Sequence, residues 1–423
     1  MNKETLPLPA ALDNIRVVEW GSSVSAPFCG KLLGDLGADV IKIEPPRSGD
    51  ASRSSGPFPD KIPDPEQSGL FLFANLNKRG VTLDLDQPKG FELFDRLLAT
   101  ADVFLENQPY EDIRDTGIDY HSLNGKYPQL VVTSITPYGR TGPYSQYKGN
   151  NLTVSALGGL SYGTGFPGRE PLQTPLHQAS YFAGVGAAFA TIVALLGKDF
   201  TGQGQHVDIA ESQVMGTLLT GYHLPTYIYR GIPGFRSGNR MRLGLFPNCV
   251  LPCKDGYICI DAPQLEQYQR FLTLLENPAW TQEPRYRDRR AMSDQYPEEA
   301  ESLIAPWFMN HTKEEILQLC LENRIPCVPV LTFDEVLTNQ QLNSREFFQE
   351  ISHKEAESLR YPGFPYRLSE SPPKLVRPAP HLGQHTREIL CNELGVSDSE
   401  YLDLSKSGRL SNNKTRAFEC SVT

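Results

Sequence analysis

The sequence predicts an α/β protein with a doubly wound parallel sheet in a large domain and a second, smaller α+β domain. Three observations carry this expectation. From Ile15 onward, short apolar runs alternate with amphipathic ones, the pattern of repeated strand–helix–strand units. A chain of 423 residues is longer than one ordinary core organises. Between Leu224 and Gly244 the alternation breaks at Pro225, Pro233 and several glycines, where a domain boundary is expected. The expected division is 1–224 for the large domain, 225–330 for the small one, and 331–423 for a Pro-rich segment wrapping back onto the large domain.

The first unit reads IRVVEW, a Gly/Ser turn, APFCGKLLGDLG and ADVIKIE: strand, loop, helix, strand, with Gly37 as the helix stop. The pattern continues with VTLDL, a helix from about Lys89 to Thr100, ADVFLE, a short helix near Tyr120 to Asn124, and QLVVTSIT. Ligands bind in such sheets at the carboxyl ends of the strands, so the loops there are candidates for chemistry. After the first strand, Gly21-Ser22-Ser23-Val24-Ser25-Ala26-Pro27 lacks the GxGxxG spacing of a dinucleotide site. In Asn75-Leu76-Asn77-Lys78-Arg79-Gly80, two cations and two amides could hold phosphates; the plainer reading is a solvated turn. Asn107-Gln108-Pro109-Tyr110, with Arg114 nearby, and Pro137 to Pro143 are loops by their Pro and Gly content.

The longest apolar stretch, Thr174 to Lys198, predicts a helix with Thr174 as N-cap, Pro175 at its first position and Gly197 as its stop. Its many Ala, Gly and Ser residues predict close approach by a neighbouring backbone. Apolar residues all round from Phe189 to Leu196 predict burial. In the small domain, CVLPCKDGYICIDA predicts a hairpin turning at Lys254-Asp255-Gly256. Two helices are expected to follow, one from about Pro297 and one from Thr312, whose spacing to Glu315 is that of a capping box. The polar tail after Gly408 is expected to fray.

A net charge of −10 argues against general nucleic-acid binding. No apolar run reads as long enough to cross a bilayer, and the N-terminus lacks the apolar core of a secretion signal, so a cytoplasmic location is expected. The eight cysteines are scattered, and only Cys249 and Cys253 stand close together. Without a second pair, and with no HExxH among the eight histidines, no metal site is expected.

Several motifs together resemble the family III CoA-transferases, the formyl-CoA and carnitine-CoA transferase group that includes α-methylacyl-CoA racemase. They are Leu33-Gly34-Asp35-Leu36-Gly37-Ala38-Asp39-Val40-Ile41-Lys42-Ile43-Glu44 with Gly49-Asp50, Asn77-Lys78-Arg79, Ala101-Asp102-Val103 with Glu106-Asn107, Thr201 to Gln205, and Arg377 to Gly383. The resemblance runs from about Leu12 to Leu410. It implies a Rossmann-type large domain plus a small one, with two chains threaded as interlocked rings. It further implies coenzyme A or acyl-CoA as substrate, with a small carboxylic acid as acceptor. By motif position, Val24, Ser25, Asn75, Lys78, Arg79 and Arg114 are its implied CoA contacts.

The departures from the family pattern bear on mechanism. In the transferases an aspartate opening a D-x-x-x-G run attacks the thioester; with Gly184 as that glycine, Ser180 stands in its place. In the racemase a G-H-D run supplies a base, and here Gly149-Asn150-Asn151 occupies it. The family's N-F/Y-R-P-G loop is altered to Asn107-Gln108-Pro109-Tyr110-Glu111. A carboxylate suits reversible exchange because its CoA adduct stays at thioester energy, whereas a serine ester lies well below it. Three readings follow. The chain is a CoA-ester enzyme with altered chemistry, in which His177 and Ser180, three residues apart on one helix face, act as base and nucleophile in acyl transfer or hydrolysis. It is a non-catalytic CoA-binding subunit paired with an aspartate-bearing paralogue, as a heterodimer rather than a homodimer. Or it is a proton-transfer enzyme, the weakest of the three because neither expected acid/base residue is present.

Overall fold

Short, apolar, β-branched strands are the element from which the large unit grows. β1 (Arg16–Trp20), β2 (Asp39–Glu44), β3 (Lys78–Thr82), β4 (Val103–Glu106), β5 (Val131–Thr136) and β6 (His206–Ala210) form one sheet in a computed structural model of the chain. The structure describes residues 9–114, 116–218, 223–241, 244–408 and 410. All neighbouring strands are parallel, in the order β3-β2-β1-β4-β5-β6. Val17, Val18, Ile41, Phe104, Leu105 and Val131 are fully enclosed, as strands covered by helices on both faces require. The winding direction reverses between β1 and β4, so the loops that leave these strands flank a crevice.

The helices follow the expected pattern, with adjusted ends. α1 (Ser25–Asp35) stops before Gly37, whose φ of +104° a side chain would resist. α2 (Pro88–Leu98) and α3 (Tyr120–Lys126) lie close to their expected positions. α4 (Gln178–Thr201) differs more. It starts after His177, because Leu176 is left-handed with φ +52°, so Thr174 is not the cap. Gly197 lies inside the helix, which ends at Gly202 with φ +70°.

Nor is α4 buried all round. Its Ala/Gly face, with Ala179, Ala183, Gly184, Ala187 and Ala188 buried, packs on α1 and on β5 and β6. A stripe of Phe182, Val185, Phe189, Val193, Leu196 and Phe200 is exposed. By length and composition alone α4 is long and apolar enough to cross a bilayer, contrary to expectation, although its small-residue face is packed inside the fold.

Packing divides the chain into one unit from Met1–Leu160, Gln173–Gly221 and Glu346–Thr423, and a second from Ser161–Leu172 and Tyr222–Arg345. The boundaries differ from those expected at 224 and 330: a short segment before α4 joins the second unit, and the return falls at Glu346. Two helices after the last strand of the second unit, Phe333–Thr338 and Gln340–Ser344, account for the later return. In that unit β7 (Asn248–Cys253), β8 (Gly256–Asp261) and β9 (Cys327–Val330) form an antiparallel sheet, with the first hairpin closing at Cys253 and Gly256. Helices Pro297–Met309 and Lys313–Glu322 cover a core of Ile258, Ile260, Phe271, Ile304, Phe308 and Ile316. The Thr312–Glu315 capping box is formed, with Glu315 Oε2 accepting from Thr312 N at 2.8 Å.

The C-terminal segment returns through a hairpin, β10 (Phe348–His353) and β11 (Glu357–Pro362), and then lines the open edge of β3. Asn77 N donates to Arg377 O at 2.9 Å, His385 N to Gly80 O at 2.9 Å, Gly80 N to His385 Nδ1 at 3.0 Å, and Thr82 N to Thr386 Oγ1 at 3.1 Å. An edge strand is thereby covered by a strap of irregular chain. Apart from Leu410, the tail after Gly408 lies outside the described residues.

Candidate active site

Parallel register sets Glu19 of β1 opposite Lys42 of β2, and this pair seeds a buried charge network beneath the carboxyl ends of the strands. Lys42 Nζ lies 3.0 Å from Glu19 Oε1 and 2.7 Å from Asp50 Oδ2. Lys78 Nζ lies 2.7 Å from Glu19 Oε2 and donates to Pro27 O at 2.6 Å and Asn75 Oδ1 at 2.9 Å. Arg53 grips Glu44 through two bonds of 2.7 and 2.8 Å. Three cations thus meet three carboxylates out of water, an arrangement viable only because each charge is paired. Burial lowers the Lys78 ammonium to about 8, against the pull of Glu19.

This geometry revises the expected phosphate site. Lys78 and Asn75 are fully enclosed and bonded to each other, so neither side chain is free for a ligand. Arg79 is held by Asp39 at 2.6 Å, by Glu388 at 2.9 Å and by Glu393. The turn is not solvated either; it is an ion-paired edge that anchors the C-terminal strap. Arg114 ends a short helix, Tyr110–Arg114, and its side chain lies outside the described residues.

Val24 and Ser25 do stand at the head of the crevice. Val24 is the N-cap of α1 and Ser25 its first residue. The loop before them is shaped by Asp50, whose Oδ1 accepts from Ser23 N at 2.9 Å, and by Asn107, which exchanges two 2.8 Å bonds with the Ser22 backbone. Ser23 is thereby held at φ +66° and stays exposed. Asn107 Nδ2 also donates to Ser25 Oγ at 3.2 Å.

Ser180 sits in the first turn of α4, next to where α1 crosses. A Cβ added at Gly184 would stand 2.9 Å from Ser25 O, so the glycine is what lets the two helices touch. Ser180 Oγ donates to Glu211 Oε2 at 3.5 Å, and the Ser25 hydroxyl is near enough to favour the ionised form of the same carboxylate. Glu211 opens α5 (Glu211–Leu218), directly after β6. Burial raises its carboxyl above the usual carboxylate range, and the two serine hydroxyls oppose that rise. The expected His177–Ser180 pairing is not what the structure shows: His177 is the N-cap residue, outside the helix body, and the Ser180 hydroxyl points to Glu211.

The two asparagines at the racemase-like position have structural roles. Asn150 caps helix Asn151–Leu157, and Asn151 Oδ1 accepts from Ala179 N at 2.8 Å, capping α4 from outside. Among the described residues no group of three or more His, Cys, Asp or Glu is arranged for a metal ion.

The family model described as CoA-transferase family III matches residues 12–386. The chain belongs to CoA-transferase family III. It is 30% identical over 381 residues to succinate–glutarate CoA-transferase of Agrobacterium fabrum, which covers 90% of this chain and 94% of the relative. It is 32% identical over 407 residues to succinyl-CoA:(R)-benzylsuccinate CoA-transferase subunit BbsE of Thauera aromatica, covering 93% and 96%. A solved CAIB/BAIF family protein from Brucella suis superposes with a TM-score of 0.82 at 30% identity, covering 91% of this chain and 99% of that one. Family members of this kind move CoA between acyl-CoA thioesters and acids, as the relatives' names state. Glu211, the carboxylate beside Ser180, escaped sequence reasoning. Its one signal was an acidic residue at a strand's carboxyl end, in Ile209-Ala210-Glu211.

Proposed function

We propose that this protein is a CoA-transferase that moves CoA from an acyl-CoA donor to a small carboxylic acid, with a dicarboxylic acyl group such as succinyl on the donor. The family match across residues 12–386 carries the reading. The donor class is supported by both relatives, whose names specify succinate or succinyl-CoA. CoA lies across the loop Gly21 to Ser25, where Ser22, Ser23 and the start of α1 face the crevice at the winding reversal. Val24 and Ser25 keep their expected roles there, whereas Lys78, Arg79 and Asn75 hold the site's frame. Among the described residues seven free thiols, at Cys29, Cys249, Cys253, Cys259, Cys320, Cys327 and Cys391, fit a reducing cytoplasmic setting.

The test is exchange: purified protein is incubated with succinyl-CoA and a panel of carboxylic acids, and new CoA thioesters are identified by mass spectrometry. We expect a new thioester with at least one acid and release of succinate in equal amount. Hydrolysis without a new thioester overturns the reading. The second reading, a non-catalytic subunit beside an aspartate-bearing paralogue, is favoured by Ser180 standing where the family aspartate belongs. It predicts exchange only after a homologous chain is added.

A further inference from the structure

Transfer of CoA between two acids sets a chemical demand. The enzyme must hold first an acyl group and then CoA itself, each at an energy close to a thioester's, or the second half of the exchange runs uphill. Hydroxyl and imidazole groups hold acyl groups but cannot hold CoA. A carboxylate does both, first as a mixed anhydride and then as its own thioester.

Five buried carboxylates lie at this end of the sheet, and four are occupied. Glu19 is shared between Lys42 and Lys78, Asp50 is held by Lys42, Glu44 by Arg53 and Glu106 by Arg140. An attacking carboxylate cannot be locked to a cation beneath the sheet. Glu211 has no ion pair among the described residues; its side-chain partners are hydroxyls, Ser180 Oγ at 3.5 Å and Ser25. It also keeps a window to the surface, 6% of its area against none for Glu19. A buried carboxylate with no countercharge is costly to fold around, and nothing in its packing calls for an acid.

We infer that Glu211 is the catalytic nucleophile of this CoA-transferase, reaching from α5 to the spot beside Ser180 and Ser25. This rests on the transfer reading above. A Glu211 oxygen adds to the thioester carbonyl, the C–S bond breaks, and CoA leaves as thiolate with a glutamyl–acyl anhydride behind it. The thiolate then attacks the glutamyl carbonyl, forming glutamyl-CoA and releasing the donor acid as carboxylate. The acceptor carboxylate attacks glutamyl-CoA and expels the thiolate, which takes the acceptor's acyl carbon and frees Glu211. Each step breaks one acyl bond as another forms, with no net proton and no redox change. Asn107 holds Ser25 Oγ, and Ser25 and Ser180 together orient the carboxylate.

The experiment traps the adduct on the full-length wild-type protein. Succinyl-CoA is added, the reaction is quenched with hydroxylamine, and the hydroxamate is located by peptide mass spectrometry. We expect the label on Glu211. Glu211→Gln, which keeps the shape and can still accept the serine hydroxyls, should lose label and exchange by at least a thousandfold while its thermal midpoint does not fall. Ser180→Ala should slow exchange about tenfold, the worth of one hydrogen bond to a charged group, and leave the label on Glu211. Wild-type exchange with the hydroxamate on another carboxylate, or Glu211→Gln that still exchanges, overturns this inference and leaves the transfer reading standing. Absence of both exchange and label in the wild type overturns both.

Discussion

At the scale of single residues, the buried charges of this molecule are held in pairs that stabilise the fold. Glu66 is also held in this way. Burial raises its carboxyl, but the bond from His381, the Arg53 guanidinium and Leu382 N outweigh that and bring it from 4.5 to about 2. A carboxylate depressed on folding stabilises the native state above its unfolded value and loses that contribution as pH falls through the folded one. We therefore expect a loss of about 3 kcal/mol between pH 4.5 and 2 from this group alone. Urea unfolding of wild type and Glu66→Gln across that range checks it: the variant should show a flatter acid limb. Such pairing across the chain also bears on which site residues could be read from the sequence. Ser25 and Ser180 were legible as helix residues because helix patterns are local. The enclosure of the Lys78 side chain was not legible, because its partner, Glu19, comes from a different strand and appears beside it only through sheet register. The nearness of Glu211 to Ser180 was not legible, because it is a product of two elements packing.

Among the elements, α4 teaches the most. Its glycines have different jobs that composition does not distinguish. Gly184 sits where α1 crosses and has no room for a side chain. Gly197, expected to end the helix, is a helical residue whose added Cβ would meet only the flexible end of Gln205 at 3.3 Å. Gly197→Ala should accordingly stabilise the protein by about 0.5–1 kcal/mol through helix propensity. Gly184→Val should destabilise it by about 1–3 kcal/mol through overpacking. Chemical unfolding of both variants reads the pair; stabilisation by valine at 184 would mean the crossing is looser than described. Strands β1, β2, β4 and β5 were legible because burial on both faces forces Val/Ile-rich runs, whereas β3 begins at Lys78, within the stretch expected as a turn, and not at Val81. The ends of α4 were not legible, because Leu176 takes up a left-handed turn that no residue pattern announces.

For the whole molecule, the exposed stripe from Phe182 to Phe200 is too apolar and too continuous for a surface left in water. Phe189→Asp interrupts the stripe at one of its most exposed rings and should raise the solubility limit read by light scattering; an unchanged limit would mean that the stripe does not govern self-association. The strap along β3 has a consequence of another kind. Gly80 and His385 meet across 305 positions of chain, and everything in the second unit is encoded between them. During synthesis the ribosome must finish that entire insertion before the edge strand β3 acquires its cover. Until then the nascent protein carries a bare backbone edge, open to pairing with a neighbour. The step most exposed to misassembly is therefore timed by translation of the inserted unit, and truncation of the chain before His385 should yield aggregates even when that unit is intact.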